Sequence, residues 1–154
     1  MNIHILNSGE KKRFIEELKE RFGIEELNYM LIEAGKEKIR GFSGSLSREE
    51  ILELNDMVRV ELVGLYLARK EPFGVRLSVD ALHLLKEQIV KNVININEGE
   101  FELWIRGHNL EVNFEEGVYA VKHNGDFVGS GYLKNGKLYN YIPRERQVRS
   151  RSLG

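Results

Sequence analysis

Two Asn-Gly pairs, Asn124-Gly125 and Asn135-Gly136, limit what the last third of this chain can become. Each stands between short runs of β-branched and aromatic residues: Val118 to Val121, Phe127-Val128, Tyr132-Leu133 and Leu138-Tyr139. Two-residue hairpin turns need φ > 0 at both central positions, and Asn followed by Gly meets that need. Gly117 to Ile142 is therefore expected to be a three-stranded antiparallel meander. Gly129 and Gly131 fall inside its middle strand. Glycine there marks a bulge, a barrel corner or the close approach of another backbone. Barrel curvature is the plainer reading; contact with a ligand's backbone is the other.

Charge follows the same boundary. From Gly117 onward seven Lys or Arg stand against two Asp or Glu, so this segment carries +5 and Met1 to Glu116 carries −6 of a total of −1. Such polarity favours a polyanion at the basic end only. The competing view is a solvated, frayed tail from Arg144 to Gly154, which has little apolar content.

At 154 residues the chain has room for one domain or two small ones, and 42% hydrophobic residues suffice for a packed core. Without cysteine there is no disulfide framework, thiolate metal site or cysteine nucleophile. No apolar run reaches membrane-spanning length, and Met1 to Leu6 is too short for a secretory h-region. A soluble, cytoplasmic protein is the default expectation.

Taken in order, Phe14, Ile15, Leu18 and Phe22 form one apolar stripe of a helix over roughly Glu10 to Phe22, capped by Ser8 and stopped by Gly23. Tyr29 to Ala34 and Lys38 to Phe42 read as a hairpin turned at Gly35-Lys36-Glu37. Ser47-Arg48-Glu49-Glu50 is a capping box, and the helix it opens should run to about Asn55 and bury Ile51, Leu52 and Leu54. Met57 to Arg69 alternates in its first half and is the longest strand candidate. Pro72-Phe73-Gly74 is a turn, after which Val75, Leu77 and Val79 alternate with polar residues. Ser78 or Asp80 then caps a helix through about Val90. The domain boundary falls at Lys91-Asn92. Val93 to Ile96 is a strand, and Glu98 to Arg106 a short helix with Phe101, Trp104 and Ile105 inward, closed by Gly107.

The strings Gly117-Val-Tyr-Ala-Val, Gly125-Asp-Phe-Val-Gly-Ser-Gly and Gly136-Lys-Leu-Tyr-Asn-Tyr-Ile-Pro-Arg resemble the C-terminal domain of rRNA cytosine-5 methyltransferases of the RsmF type. Glu98 to Leu110 resembles the helix and Gly-rich corner that open many PUA domains. The order of elements from Phe14 onward resembles the Nip-type ribosome-biogenesis proteins. The resemblance implies an α+β chain: an N-terminal α/β (pre-PUA) domain with antiparallel strands, residues 1–91, packed on a PUA-like RNA-binding β-barrel, residues 92–154. It implies an RNA surface formed by the opening helix with its Gly corner and by the last strands. By position that implicates Arg106, Gly107 and His108 from the first, and Lys134, Asn140, Arg144 and Arg146 from the second. Lys122, Lys137 and Arg149 join them on charge alone.

The same residues argue against catalysis. Enzymes that methylate cytosine C5 need a cysteine thiolate, and there is none here. Gly129-Ser130-Gly131 precedes a strand-like run and not a helix, so it is not a nucleotide loop. His4, His83, His108 and His123 have no metal-ligand spacing, so no metal or cofactor is expected. Trp104 reads as core. Tyr139 and Tyr141 share one strand face with Asn140 on the other; the reading adopted buries the tyrosines and presents Asn140 beside the arginines. The expected function is non-catalytic binding of structured RNA, rRNA or tRNA, in ribosome biogenesis or RNA modification. The alternative, motivated by the acidic N-terminal half, is an adaptor that recruits an RNA methyltransferase.

Overall fold

The computed structural model describes residues 3–35, 37–43, 47–57 and 64–148. Within them the order is β1 (Ile3–Ile5), α1 (Ser8–Phe22), β2 (Met30–Ala34), β3 (Lys38–Phe42), α2 (Arg48–Met57), β4 (Leu65–Glu71), β5 (Gly74–Leu77) and α3 (Val79–Leu84). There follow β6 (Val93–Asn95), α4 (Glu98–Trp104), β7 (Leu110–Glu111), β8 (Gly117–His123), β9 (Asp126–Lys134), β10 (Lys137–Asn140) and a 3-10 turn at Arg144–Arg146.

The strands make two five-stranded sheets, one from each half of the chain. The first has the order β1-β2-β3-β4-β5, all antiparallel. The second has the order β6-β8-β9-β10-β7, antiparallel except for β6 on β8. It curls into a half-barrel, so the class is α+β. Both Asn-Gly pairs turn hairpins as expected: φ is +49° and +82° at Asn124 and Gly125, and +52° and +78° at Asn135 and Gly136.

One apolar core runs through both halves. Phe14, Leu18 and Phe22 of α1 meet Leu31, Ile39, Ala68 and Val75 of the first sheet and Val118, Ala120 and Phe127 of the second. Arg21 reinforces the junction: its Nε donates to the Val118 carbonyl at 2.8 Å, and its guanidinium lies 5.0 Å from the Tyr119 ring. Buried Ser130 donates from Oγ to the Leu77 carbonyl at 2.7 Å, which satisfies a hydroxyl otherwise costly to bury. A second cluster fills the half-barrel around Trp104, Tyr119, Leu133 and Leu138. A third lies on the far face of the first sheet, where Ile51 of α2 covers Ile5, Ile32 and Ala34.

Several expectations are corrected locally. The cap of α1 is Asn7 and not Ser8: the Glu10 N–H donates to Asn7 Oδ1 at 2.9 Å, and the Asn7 N–H to Glu10 Oε1 at 3.0 Å. The Ser47–Glu50 box forms as read, but α2 continues to Met57, which therefore opens no strand, and Leu52 is exposed. The rest of that expected strand, up to residue 63, lies outside the described residues, as does Lys36 in the expected turn. Val79 begins α3 with Ser78 as its cap, and α3 ends at Leu84, well short of Val90. There the chain docks on the end of α1 instead. The Gln88 side chain accepts from the Glu25 and Glu26 N–H groups, and the Val90 N–H donates to the Phe22 carbonyl.

Candidate nucleic-acid interface

The corner after α4 is built from the end of a short helix and the end of the meander. α4 is opened by a capping box between Asn97 and Glu100, and its Trp104 is fully buried. The indole Nε1 donates to the Val128 carbonyl at 3.0 Å. Gly129 beneath it is at φ +144°, and a Cβ there would stand 3.0 Å from Nε1 and 2.8 Å from Ile142 Cγ1. The middle-strand glycine is thus required by the protein's own Trp104 and Ile142, with a register shift between Val121 and Lys122 adding to the curl.

Past Trp104 the chain turns through Gly107 at φ +89°, a conformation costly for other residues. The direction a Cβ would take is filled by Gln147, whose Cδ lies 2.5 Å from that position. A side chain there would have to displace the flexible end of Gln147. The Val148 N–H donates to the Ile105 carbonyl at 2.7 Å, so the segment after the 3-10 turn lies along the corner. Arg106, His108 and Arg144 are exposed on these neighbouring segments. Arg106 makes a long ion pair, 3.8 Å, with Glu102 one helical turn back.

Asn140 is not presented to solvent as expected. Its Nδ2 donates to the carbonyls of Trp104 (2.8 Å) and His108 (3.0 Å), and its Oδ1 accepts from the Ile142 N–H at 2.8 Å. Its own N–H donates to Asn109 Oδ1 at 2.9 Å. Leu138 and Asn140 point inward, while Tyr139 points out and is 40% exposed, so the expected burial of both tyrosines is reversed for Tyr139. Tyr141 is half-buried, near Phe73 and with the Arg76 guanidinium 4.5 Å from its ring centre. Burial and the Glu71 carboxylate push its hydroxyl above the usual tyrosine range.

The expected residues do not form one site. Arg106, Gly107, His108, Asn140, Arg144 and Arg146 gather at the corner and the 3-10 turn. Lys134 and Lys137 are cross-strand partners beside the tip of the β9–β10 hairpin, next to Glu111. Lys122 pairs with Phe127, seven residues from Lys134 along β9, or roughly 20 Å at strand rise, and its ammonium lies over the Phe127 ring. Arg149 lies outside the described residues. Arg146 turns away to the start of α3, donating to Asp80 at 2.9 Å. It borders a cleft lined by Lys38, Arg40, Arg69 and Arg76. Net charge conceals these four in the sequence, because they sit in the half where acidic residues prevail. The alternation of Lys38 and Arg40 about Ile39 is the signal that marks them.

Among the described residues no group of three or more His, Cys, Asp or Glu side chains could hold a metal ion. None of the described helices is long and apolar enough to cross a membrane.

Comparison with known proteins agrees with this geometry. Residues 91–147 match the family model of the methyltransferase RsmF PUA domain. No curated protein sequence matches the chain. A hypothetical protein of the hyperthermophilic archaeon Pyrococcus horikoshii superposes with a TM-score of 0.54 at 14% identity, covering 90% of this chain and 83% of that one. A PUA domain of Aeropyrum pernix, solved as a tartrate complex, superposes with a TM-score of 0.54 at 12% identity, covering 93% and 86%. The chain is therefore PUA-like in fold along most of its length, and its C-terminal part resembles the PUA domain of RsmF-type methyltransferases.

Proposed function

We propose that this protein binds structured RNA, rRNA or tRNA, and serves ribosome assembly or RNA modification by binding alone. The observation that carries the reading is the corner. A short helix, a positive-φ glycine and the returning 3-10 turn carry Arg106, His108 and Arg144, all exposed, on adjoining segments, in the part of the chain that matches an RNA-modifying enzyme's PUA domain. Two long cations with no short ion pair among the described residues suit phosphate contacts, each of which releases condensed counterions. The absence of cysteine removes the nucleophile that cytosine C5 chemistry would require.

Replacing Arg106 and Arg144 together by Gln should weaken binding to bulk tRNA and rRNA fragments. It should also reduce the slope of log affinity against log salt by about 0.7 to 0.9 for each phosphate that is no longer neutralised. Filter binding across a salt series reads both. An unchanged affinity and slope would take the corner out of the interface. A protein partner that survives nuclease during native purification, with no RNA bound, would point to an adaptor instead.

A further inference from the structure

A cationic row lies on the far face of the first sheet, beside the part that α2 covers. On β3, β4 and β5 the register sets Lys38 opposite Arg69 and Arg69 opposite Arg76. Three cations thus form a direct cross-strand row about 10 Å long across three strands. Arg40 is on the same face, opposite Tyr66. A bulge makes this possible. Ile39 pairs with Ala68 while Arg40 pairs with Tyr66, so Leu67 is the extra residue; Leu67 and Ala68 both turn into the core, and Tyr66 and Arg69 on either side share the far face.

Like charges directly opposite in a sheet are destabilising, so the fold alone does not favour this row. Glu71 offsets it only in part. Its Oε1 lies 2.9 Å from Arg76 Nη2 and 3.5 Å from Arg69 Nε, so one carboxylate serves two arginines. Lys38 and Arg40 lie 5.5 and 5.7 Å from the centre of the Tyr66 ring, and Arg40 Nη1 donates to the Gly64 carbonyl. The Nε–H groups of Arg40 and Arg69 are buried and make no hydrogen bond among the described residues, Glu71 being close to the second but not placed to bond it. Unpaired buried donors of this kind are costly unless something supplies an acceptor. The surrounding cleft, about 440 Å³, also takes in Tyr141, Asp80, Glu145 and Arg146, so its lining holds five cations against two carboxylates, with Glu71 at its edge as a third.

We propose that this cleft is a phosphate-binding site and that the phosphate is that of an RNA backbone, so that the RNA runs from the corner across the 3-10 turn onto the N-terminal sheet. Guanidinium forks suit phosphate oxygens, which accept paired N–H bonds. Arg144 and Arg146 stand on one short turn, the first exposed near the corner and the second in the cleft, which gives the RNA a continuous cationic track. The choice of RNA over free phosphate rests on the proposed function; the phosphate chemistry does not.

The test follows the arginine Nε–Hε signals of the full chain by 15N NMR while bulk tRNA, pyrophosphate or poly-glutamate is added in separate arms. Arg40 and Arg69 should shift saturably with tRNA. The Lys38→Gln/Arg69→Gln protein should lose about 1 to 2 units of salt slope for tRNA, leaving the Arg76–Glu71 pair intact. Shifts with pyrophosphate in a protein that binds no tRNA would keep the phosphate site and remove the RNA reading. Binding of tRNA with neither these shifts nor any change in the variant would overturn the cleft proposal and leave the corner standing. Shifts from poly-glutamate alone would assign the face to an acidic protein and overturn it as well. No shift in any arm would also overturn it.

Discussion

Asn140 shows how much one side chain can organise. Its amide group ties the end of α4, the Gly corner and the exit of β10 with three hydrogen bonds. Each polar partner left unmatched costs about 1–3 kcal/mol where it is shielded from water. Asn140→Ala should therefore lower unfolding free energy by about 1–3 kcal/mol, read from urea denaturation, and should do so with RNA absent. Loss of RNA affinity with unchanged stability would instead mean a direct contact with the nucleic acid. Alternation in the sequence separates Tyr139 from Asn140 but does not say which face is inward. Leu138, two residues before Asn140 and fully buried, is the residue that decides, and it places Asn140 inside. Trp104 is legible because a large apolar ring on a short helix has nowhere else to go. The demand for glycine at position 129 is legible as curvature, but its cause, the indole and Ile142 above it, is a contact between segments far apart in sequence.

At the scale of elements, hairpins are the clearest signal, because Asn-Gly carries its geometry in its own backbone preferences. Helix ends are less clear, because several adjacent residues can cap. Asn7 prevails over Ser8 through its reciprocal bond with Glu10. The bond from the Asn7 N–H, and then that of His4, hold the Glu10 carboxyl below its usual range. A carboxyl with a lowered folded pKa adds stability above its unfolded pKa, and that stability is lost as pH falls through the folded value. Glu10→Gln should therefore narrow the gap to wild type as pH drops through the carboxylate range, with little further change above it. Thermal unfolding at about pH 3 to 7 measures this; a gap that widens on acidification would reverse the assignment. The length of α3 is illegible for a different reason. Leu84, Leu85 and Ile89 keep a helical spacing, yet tertiary hydrogen bonds from Gln88 and Val90 to the end of α1 take the chain out of the helix.

For the whole molecule, the first sheet ends with β5 and the second begins with β6, on either side of Lys91-Asn92, but the core does not divide there. Val118, Ala120 and Phe127 are packed among residues of α1 and α3. The halves should therefore unfold as one unit. Far-ultraviolet dichroism and Trp104 fluorescence should give coincident denaturation curves, and residues 92–154 made alone should bind hydrophobic dye. Two separated transitions would show independent domains. Charge is legible only as an average: −6 over the first 116 residues hides a cationic face, because acidic residues gather elsewhere, as on α2, where four Asp or Glu stand against one Arg. The half-barrel has one further consequence. A sheet that curls without closing keeps two borders with free backbone groups, which invite another chain to add on. Here the borders are β6, with three residues, and β7, with two. Strands this short offer too few rungs for a neighbour to zip onto, so the molecule stays open without becoming sticky.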